Sequence, residues 1–269
     1  MQRILSTLLS LPLLLLFAQT AAADAPALSA EEIIAKHLAA VGGKEALSKF
    51  KSRVAIGTFK KEGEPESQMA IMSEAPDRLA AVYVFRDYDW RLVNADGKTV
   101  IRPQFPRQVA PIEDKYRQML TSGLMFNGVP LQNLLLAPGP DVKFTAKGTK
   151  KVKGREAYVV EVRRGKESPV RLFFDAETFM WVRSEFGRAE VTRQMRTFTN
   201  DVVNQSASET GVEFYVETGD FRDVDGVKLP FRVEMVVTSP ILRDRSSGTL
   251  VGNVREYKHN VQIDAAMFQ

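Results

Sequence analysis

Cysteine is absent from all 269 residues, and histidine occurs only twice. The first absence removes disulfide cross-links, thiol catalysis and lipidation on cysteine. The second leaves only His37 and His259, which are too few for a histidine metal site and sit in a helix and a strand where a structural or solvent-facing role is expected. No Gly-x-Ser-x-Gly, Gly-x-Gly-x-x-Gly or His-Glu-x-x-His occurs. Gly97-Lys98-Thr99 ends like a phosphate loop, but Leu92 stands where its first glycine belongs. Asp220, Asp223 and Asp225 fail as a calcium loop, because a register starting at Asp223 puts Lys228 at the glycine position. They read as turn aspartates. No acid/base pair or nucleophile can be nominated. The chain is expected not to be an enzyme, with no cofactor and no metal.

Charge of one sign is not in excess either: 37 basic residues face 33 acidic ones, a net +4. The densest basic stretch, Lys147 to Lys153, holds no aromatic residue and reads as a solvated turn, so nucleic acid is not an expected partner. One long apolar run exists, residues 4–18, after the positive start Met1-Gln2-Arg3 and before the small-x-small pair Ala21 and Ala23. That is the pattern of a secretory signal peptide, and the run is too short to favour a membrane span. Residues 1–23 are expected to be removed near Ala23. Residues 24–269 are expected to form a single exported, soluble and unlipidated domain.

What the chain does have is period-two alternation. Ser29-Ala30-Glu31-Glu32 first makes a capping box, and Ile33, Ile34, His37, Leu38 and Val41 share one helical face before Gly42-Gly43. A short second helix is expected over residues 44–50. From Ser52 the period switches to two, with Val54, Ile56 and Thr58 reading as one face of a strand. A stretch of about 103–140 interrupts the strands. It opens on Pro103, Pro106 and Pro111 and then carries helical spacing at Ile112, Tyr116, Met119 and Leu120, with a short helix after Pro130.

Strands then resume to the end. The longest hairpin, residues 213–237, turns on Asp225-Gly226, a pair favoured where φ is positive. Short turns join antiparallel neighbours, since a parallel crossover needs a dozen residues or more. The reading is a mainly β (α+β) chain: an unclosed, strongly curved antiparallel β-barrel meander with N-terminal and inserted helices as lids. The bulky apolar residues that could line its interior are Met119, Leu120, Met125 and Phe126 in the insertion, with Trp181, Phe214, Phe231 and Val233 on the strands.

Several segments carry a likeness: AAVGGKEAL at 39–47, KSRVAIGTF at 51–59, NADGKTVIRP at 94–103, LFFDAETFMWVR at 172–183, GDFRDVDGVKLPFRVEM at 219–235 and VQIDAAMF at 261–268. Together they resemble the bacterial outer-membrane lipoprotein-sorting superfamily, the LolA/LolB-like carriers. The resemblance implies an open barrel capped by helices, with an apolar cavity that takes the acyl chains of lipids or lipoproteins. It implies partners in an inner-membrane export complex or an outer-membrane acceptor, and a monomeric shuttle, since no cysteine is present for an anchor. The shuttle type also has a cavity arginine. It matches no single position here, with Arg86 and Arg91 both left open. The alternative on the same scaffold is a periplasmic sensor or regulatory module that shuttles no lipid.

Overall fold

The computed structural model describes residues 28–61, 63, 65–84, 89–95, 98–103, 129–165, 169–186, 213–238 and 248–269. Their alternation produces twelve strands: β1 (Ser52–Lys61), β2 (Ser67–Glu74), β3 (Arg78–Val84), β4 (Asp89–Ala95), β5 (Lys98–Pro103), β6 (Val142–Val152), β7 (Arg155–Arg164), β8 (Val170–Asp175), β9 (Trp181–Phe186), β10 (Glu213–Val224), β11 (Val227–Thr238) and β12 (Gly248–His259). They form one sheet in the order β5-β4-β3-β2-β1-β12-β11-β10-β9-β8-β7-β6. Each neighbouring pair is antiparallel, and all but β1–β12 are consecutive in the chain. This is the unclosed meander expected from the short turns. Pairing of the first and last strands moves the opening to mid-chain, between β5 and β6. The stretch that interrupts the strands is the connection from β5 to β6 in the chain.

Local chemistry explains the best-formed pieces. The β10–β11 hairpin keeps one register from Glu213↔Thr238 to Val224↔Val227, leaving Asp225 and Gly226 as a two-residue turn with φ of 54° and 81°. Helix α1 (Ala30–Ala40) opens on the expected capping box: Glu32 N donates to Ser29 Oγ at 3.1 Å, and Ser29 N to Glu32 Oε2 at 2.7 Å. Helix α2 (Lys44–Ser48) follows Gly42 and Gly43. Helix α3 (Val129–Leu136) starts before Pro130 rather than after it. The first helical turn leaves its N–H groups without intrahelical partners, so the proline there costs no bond.

The three helices cover the concave face of the sheet. Ile33 and Leu38 of α1, Leu131 and Leu135 of α3, and Leu172, Phe174, Trp181 and Leu229 of the strands belong to one buried cluster. The convex face is covered separately. A short 3-10 helix (Ala265–Phe268) seats Phe268 against Met72, Ala80, Val82 and Val93, while Val152, Ala157, Val159 and Phe173 form a second patch.

This double cover divides the two faces of β1. Val54, Ile56 and Thr58 do share a face, but they are only half-buried, whereas Arg53, Ala55 and Phe59 are buried. Val54 packs with the convex cluster, while Ala55 and Phe59 belong to the concave one. Among the described residues, no helix is long and apolar enough to cross a membrane.

Candidate ligand site

Among the described residues, side chains of the sheet and the helices pack into the interior of the curved sheet and leave small cavities between them. One cavity of about 30 Å³ lies beneath the helices, between Leu38, Arg53, Gln132, Leu135, Trp181 and Leu229. A second, of about 20 Å³, is lined by Phe59, Met69, Tyr83, Val233, Met235 and Tyr257. Each has room for a water or two. Around these cavities the described residues form an apolar wall with helices in contact with it.

At the floor of the first cavity lies a polar cluster. A β-bulge creates half of it. Gly57 pairs with Val254 and Ile56 with Glu256, so Arg255 is the extra residue of β12. The bulge shifts the inward set of β12 from Leu250, Gly252 and Val254 to Tyr257 and His259, which lie opposite Ala55 and Arg53. Arg53 is 3% exposed. Its Nε donates to His259 Nε2 at 3.0 Å and its Nη2 to Gln132 Oε1 of α3 at 2.9 Å. Gln132 Nε2 in turn donates to Leu47 O, at the end of α2. Helix α3 has two further polar ties: Val129 N donates to Ser73 Oγ at 3.2 Å, and Asn133 Nδ2 to Pro76 O at 3.2 Å.

Burial pulls the Arg53 guanidinium down to about 10, the neighbouring Tyr257 partly offsetting it, so Arg53 stays charged at neutral pH. Burial likewise pushes the Tyr257 phenol up. A buried cation in an otherwise apolar interior is costly unless hydrogen-bonded, so the bonds to His259 and Gln132 are strong ones.

The residues nominated from sequence are placed unequally. Trp181 is 2% exposed and lines the first cavity, and its Nε1 donates to Arg183 O at 3.0 Å and Ser184 Oγ at 3.1 Å. Val233 lines the second cavity. Phe231 is buried beside it, edge-on to Tyr257 at 5.2 Å between ring centroids. Phe214 pairs with Val237 and Phe186, and its side chain lies outside the described residues. Met119, Leu120, Met125 and Phe126 also lie outside them.

Of the two arginines left open, Arg86 lies outside the described residues. Arg91 pairs with Val82, a residue of the convex cluster, so it faces away from the interior. Among the described residues Arg53 is an arginine buried in the interior, which sequence reading missed together with Gln132, Tyr257 and the contacts of His259. The findable signal was Arg53-x-Ala55-x-x-x-Phe59 as the inner set of β1.

The histidines make separate contacts. His37 Nδ1 donates to Phe179 O at 2.9 Å, and its ring packs on Phe174 at 4.9 Å between centroids. Burial lowers His37 to about 4, against the opposing bond to Phe179, so it is neutral at pH 7. Among the described residues no group of three or more His, Cys, Asp or Glu could hold a metal ion. Asp223 serves the turn as expected, its Oδ1 accepting from Gly226 N at 3.1 Å, but Asp225 reaches further, to His259.

No protein-family model matches this sequence, and no curated protein matches it. Solved structures do resemble the fold. An outer membrane lipoprotein-sorting protein domain from Vibrio parahaemolyticus superposes with a TM-score of 0.50 at 12% identity, over 89% of this chain and 95% of that one. A LolA superfamily protein from Nitrosomonas europaea gives 0.49 at 16% identity, over 90% and 98%. With twelve antiparallel strands among the described residues, open at mid-chain, and helices on the concave side, the chain shares the fold of that lipoprotein-sorting protein domain from Vibrio parahaemolyticus.

Proposed function

We propose that this protein is a periplasmic carrier that takes the acyl chains of lipids or lipoproteins into the concave face of its sheet, for transfer towards the outer membrane. The observation that carries the reading is the lid arrangement: helix α3 lies on an apolar concave wall and is tied to it through a buried arginine by a small number of polar bonds. Each acyl CH₂ removed from water contributes about 0.8 kcal/mol, so a long chain contributes on the order of 10 kcal/mol. That exceeds any one polar tie of the short helix, worth about 1 kcal/mol for a neutral bond and up to about 3 kcal/mol for the one from Arg53. The cavities of about 30 and 20 Å³ take no acyl chain. On this reading α3 lifts for loading, and Trp181, Phe231 and Val233 line the bound chain. Met119, Leu120, Met125, Phe126 and Phe214 are proposed to extend that lining. An N-terminal leader at 1–23, export through the inner membrane and an outer-membrane acceptor belong to the same proposal.

Native mass spectrometry of the protein purified from its own host tests it. Co-purified acyl lipid or lipoprotein is the expected result. Repeated recovery of ligand-free protein that also binds no labelled palmitate would overturn the carrier and favour a sensor on the same scaffold. The double substitution Met119→Asp with Phe126→Asp should lower palmitate binding while β-sheet circular dichroism persists. Unchanged binding would remove both residues from the site.

A further inference from the structure

Both ring nitrogens of His259 are committed. Nδ1 lies 2.8 Å from Asp225 Oδ2, and Nε2 lies 3.0 Å from Arg53 Nε. A carboxylate at neutral pH only accepts, and a guanidinium only donates. The arrangement therefore admits one protonation state: hydrogen on Nδ1 and a lone pair on Nε2. The side chain is 3% exposed, and its ring stacks on Phe50 at 3.8 Å between centroids, which fixes the ring plane. A second proton has only Nε2 to occupy. It would set an N–H against the Arg53 N–H at 3.0 Å and place a second positive charge beside the guanidinium.

We propose that His259 is the positioning residue that aims Arg53 at Gln132 of the lid helix, and that protonation of His259 releases Arg53 and loosens α3 in mildly acidic surroundings. The proposal rests on the carrier reading for its purpose, since a loosened α3 admits an acyl chain, but not for its chemistry.

The charged groups facing His259 are Asp225, from the β10–β11 turn, and Arg53, from β1. Lys228 of β11 and the neutral His37 of α1 line the same cavity as Arg53 and Gln132, and the remaining described groups against this cluster are neutral. Phe50 precedes β1, Gln132 comes from α3, and Tyr257 is the neighbouring inward residue of β12. Burial, helped by Arg53, lowers the His259 imidazole below its ordinary value against the opposing pull of Asp225. The bond to Arg53 is therefore intact at neutral pH and is lost as pH falls below the ordinary imidazole range. Asp225 also makes the device reach the surface: it is exposed at the hairpin tip, so the chain Asp225–His259–Arg53–Gln132 runs from the rim to the lid.

The test uses ligand-free full-length protein. Long-range ¹H–¹⁵N NMR should show His259 as the Nδ1–H tautomer near neutral pH. The Nε2–H tautomer would overturn the proposal without any variant. Hydrogen-exchange protection of the α3 amides should be constant above the ordinary imidazole range and begin to fall below it, by roughly ten- to a hundredfold once His259 is protonated, the worth of one hydrogen bond to a charged group. His37, at about 4, stays neutral over that range. In His259→Gln the amide oxygen accepts from Arg53 and does not titrate, so protection should stay flat. An equal fall in this variant would sink the proposal.

Asp225→Asn removes the carboxylate that favours the proton and should move the transition to lower pH. An unmoved transition would count against the relay even if His259→Gln does not fold. Labelled palmitate binding in the same pH series separates the two readings. A pH-dependent loss of protection without palmitate uptake supports the relay and overturns the carrier. Palmitate binding with flat protection supports the carrier and overturns the relay.

Discussion

Helices α1 and α3 lie on the same concave wall but are held in different ways. Helix α1 is built into the chain on both sides. It has a complete capping box, a buried stripe of Ala30, Ile33, Ile34, His37 and Leu38, and a C-terminal carbonyl, Val41 O, that accepts from Lys228 N at 2.9 Å. The chain just beyond it passes so close to the β10–β11 turn that a Cβ on Gly42 would lie 2.4 Å from Gly226 O. Helix α3 is only eight residues long and is tied to the sheet through side chains: Ser73, Gln132 with Arg53, and Asn133. Backbone ladders and steric locks resist local opening, while side-chain bonds of about 1 kcal/mol can be broken one at a time. The difference marks α1 as fixed scaffold and α3 as the movable cover.

The sharpest way to break that contrast is at Gly42, whose φ is +123°. Gly42→Ala combines a disfavoured backbone with a clash against main chain and should cost about 3 kcal/mol or more. Gly43, with φ of +89°, has nothing within 4 Å of an added Cβ. Gly43→Ala should cost only about 1 kcal/mol. Urea unfolding midpoints measure both. Equal losses would show that the contact with the hairpin tip does not hold α1.

Acid should strain α1 through His37. Its folded value of about 4 lies below the ordinary 6.5, so between these the unfolded chain binds more protons. Stability is then full above 6.5, falls by about 1.4 kcal/mol per pH unit towards 4, and is level below. His37→Asn keeps a donor for Phe179 O and does not titrate, so its unfolding free energy should vary less over that window. A slope unchanged in the variant would assign the acid sensitivity to other groups.

At α3 the corresponding change is Gln132→Leu, which preserves size and removes the bonds to Arg53 and Leu47 O. About 2 kcal/mol is expected, felt locally. Exchange protection in α3 should drop while that in α1 is kept, and palmitate uptake should become faster. Loss of protection in both helices together would mean that they open as one unit, and the contrast would fail.

How far these features could be read in advance depends on how local their causes are. The capping box, the 3.6-residue stripe of α1 and the Asp225-Gly226 turn are contained within a few residues, and they were legible. The unclosed meander followed from turn lengths. Arg53 was hidden for two reasons. Both faces of β1 are covered, so Val54, Ile56 and Thr58 imitate a core stripe while the inward set contains the arginine. Its partner His259 points inward only because the extra residue Arg255 reverses the alternation of β12. A bulge between strands some two hundred residues apart leaves no signature in periodicity. Trp181, Phe231 and Val233 are buried in the interior, as bulky apolar side chains on inner strand faces are in any such core, so their burial says little about a ligand.

The smallest test concerns the start of α1. Ser29 Oγ accepts from Glu32 N, and the Glu32 carboxylate is held below its usual range by its bonds to Ser29. Ser29→Ala removes one half of the box and should cost about 1 kcal/mol. If α1 is scaffold, the loss appears in the global unfolding transition, and exchange protection in α3 changes no more than elsewhere. If α1 is instead a second lid, the same substitution should raise exchange in α1 selectively and hasten palmitate uptake, as Gln132→Leu is expected to do at α3. The ratio of local to global effect in these two variants then measures how much of the concave wall belongs to the moving cover.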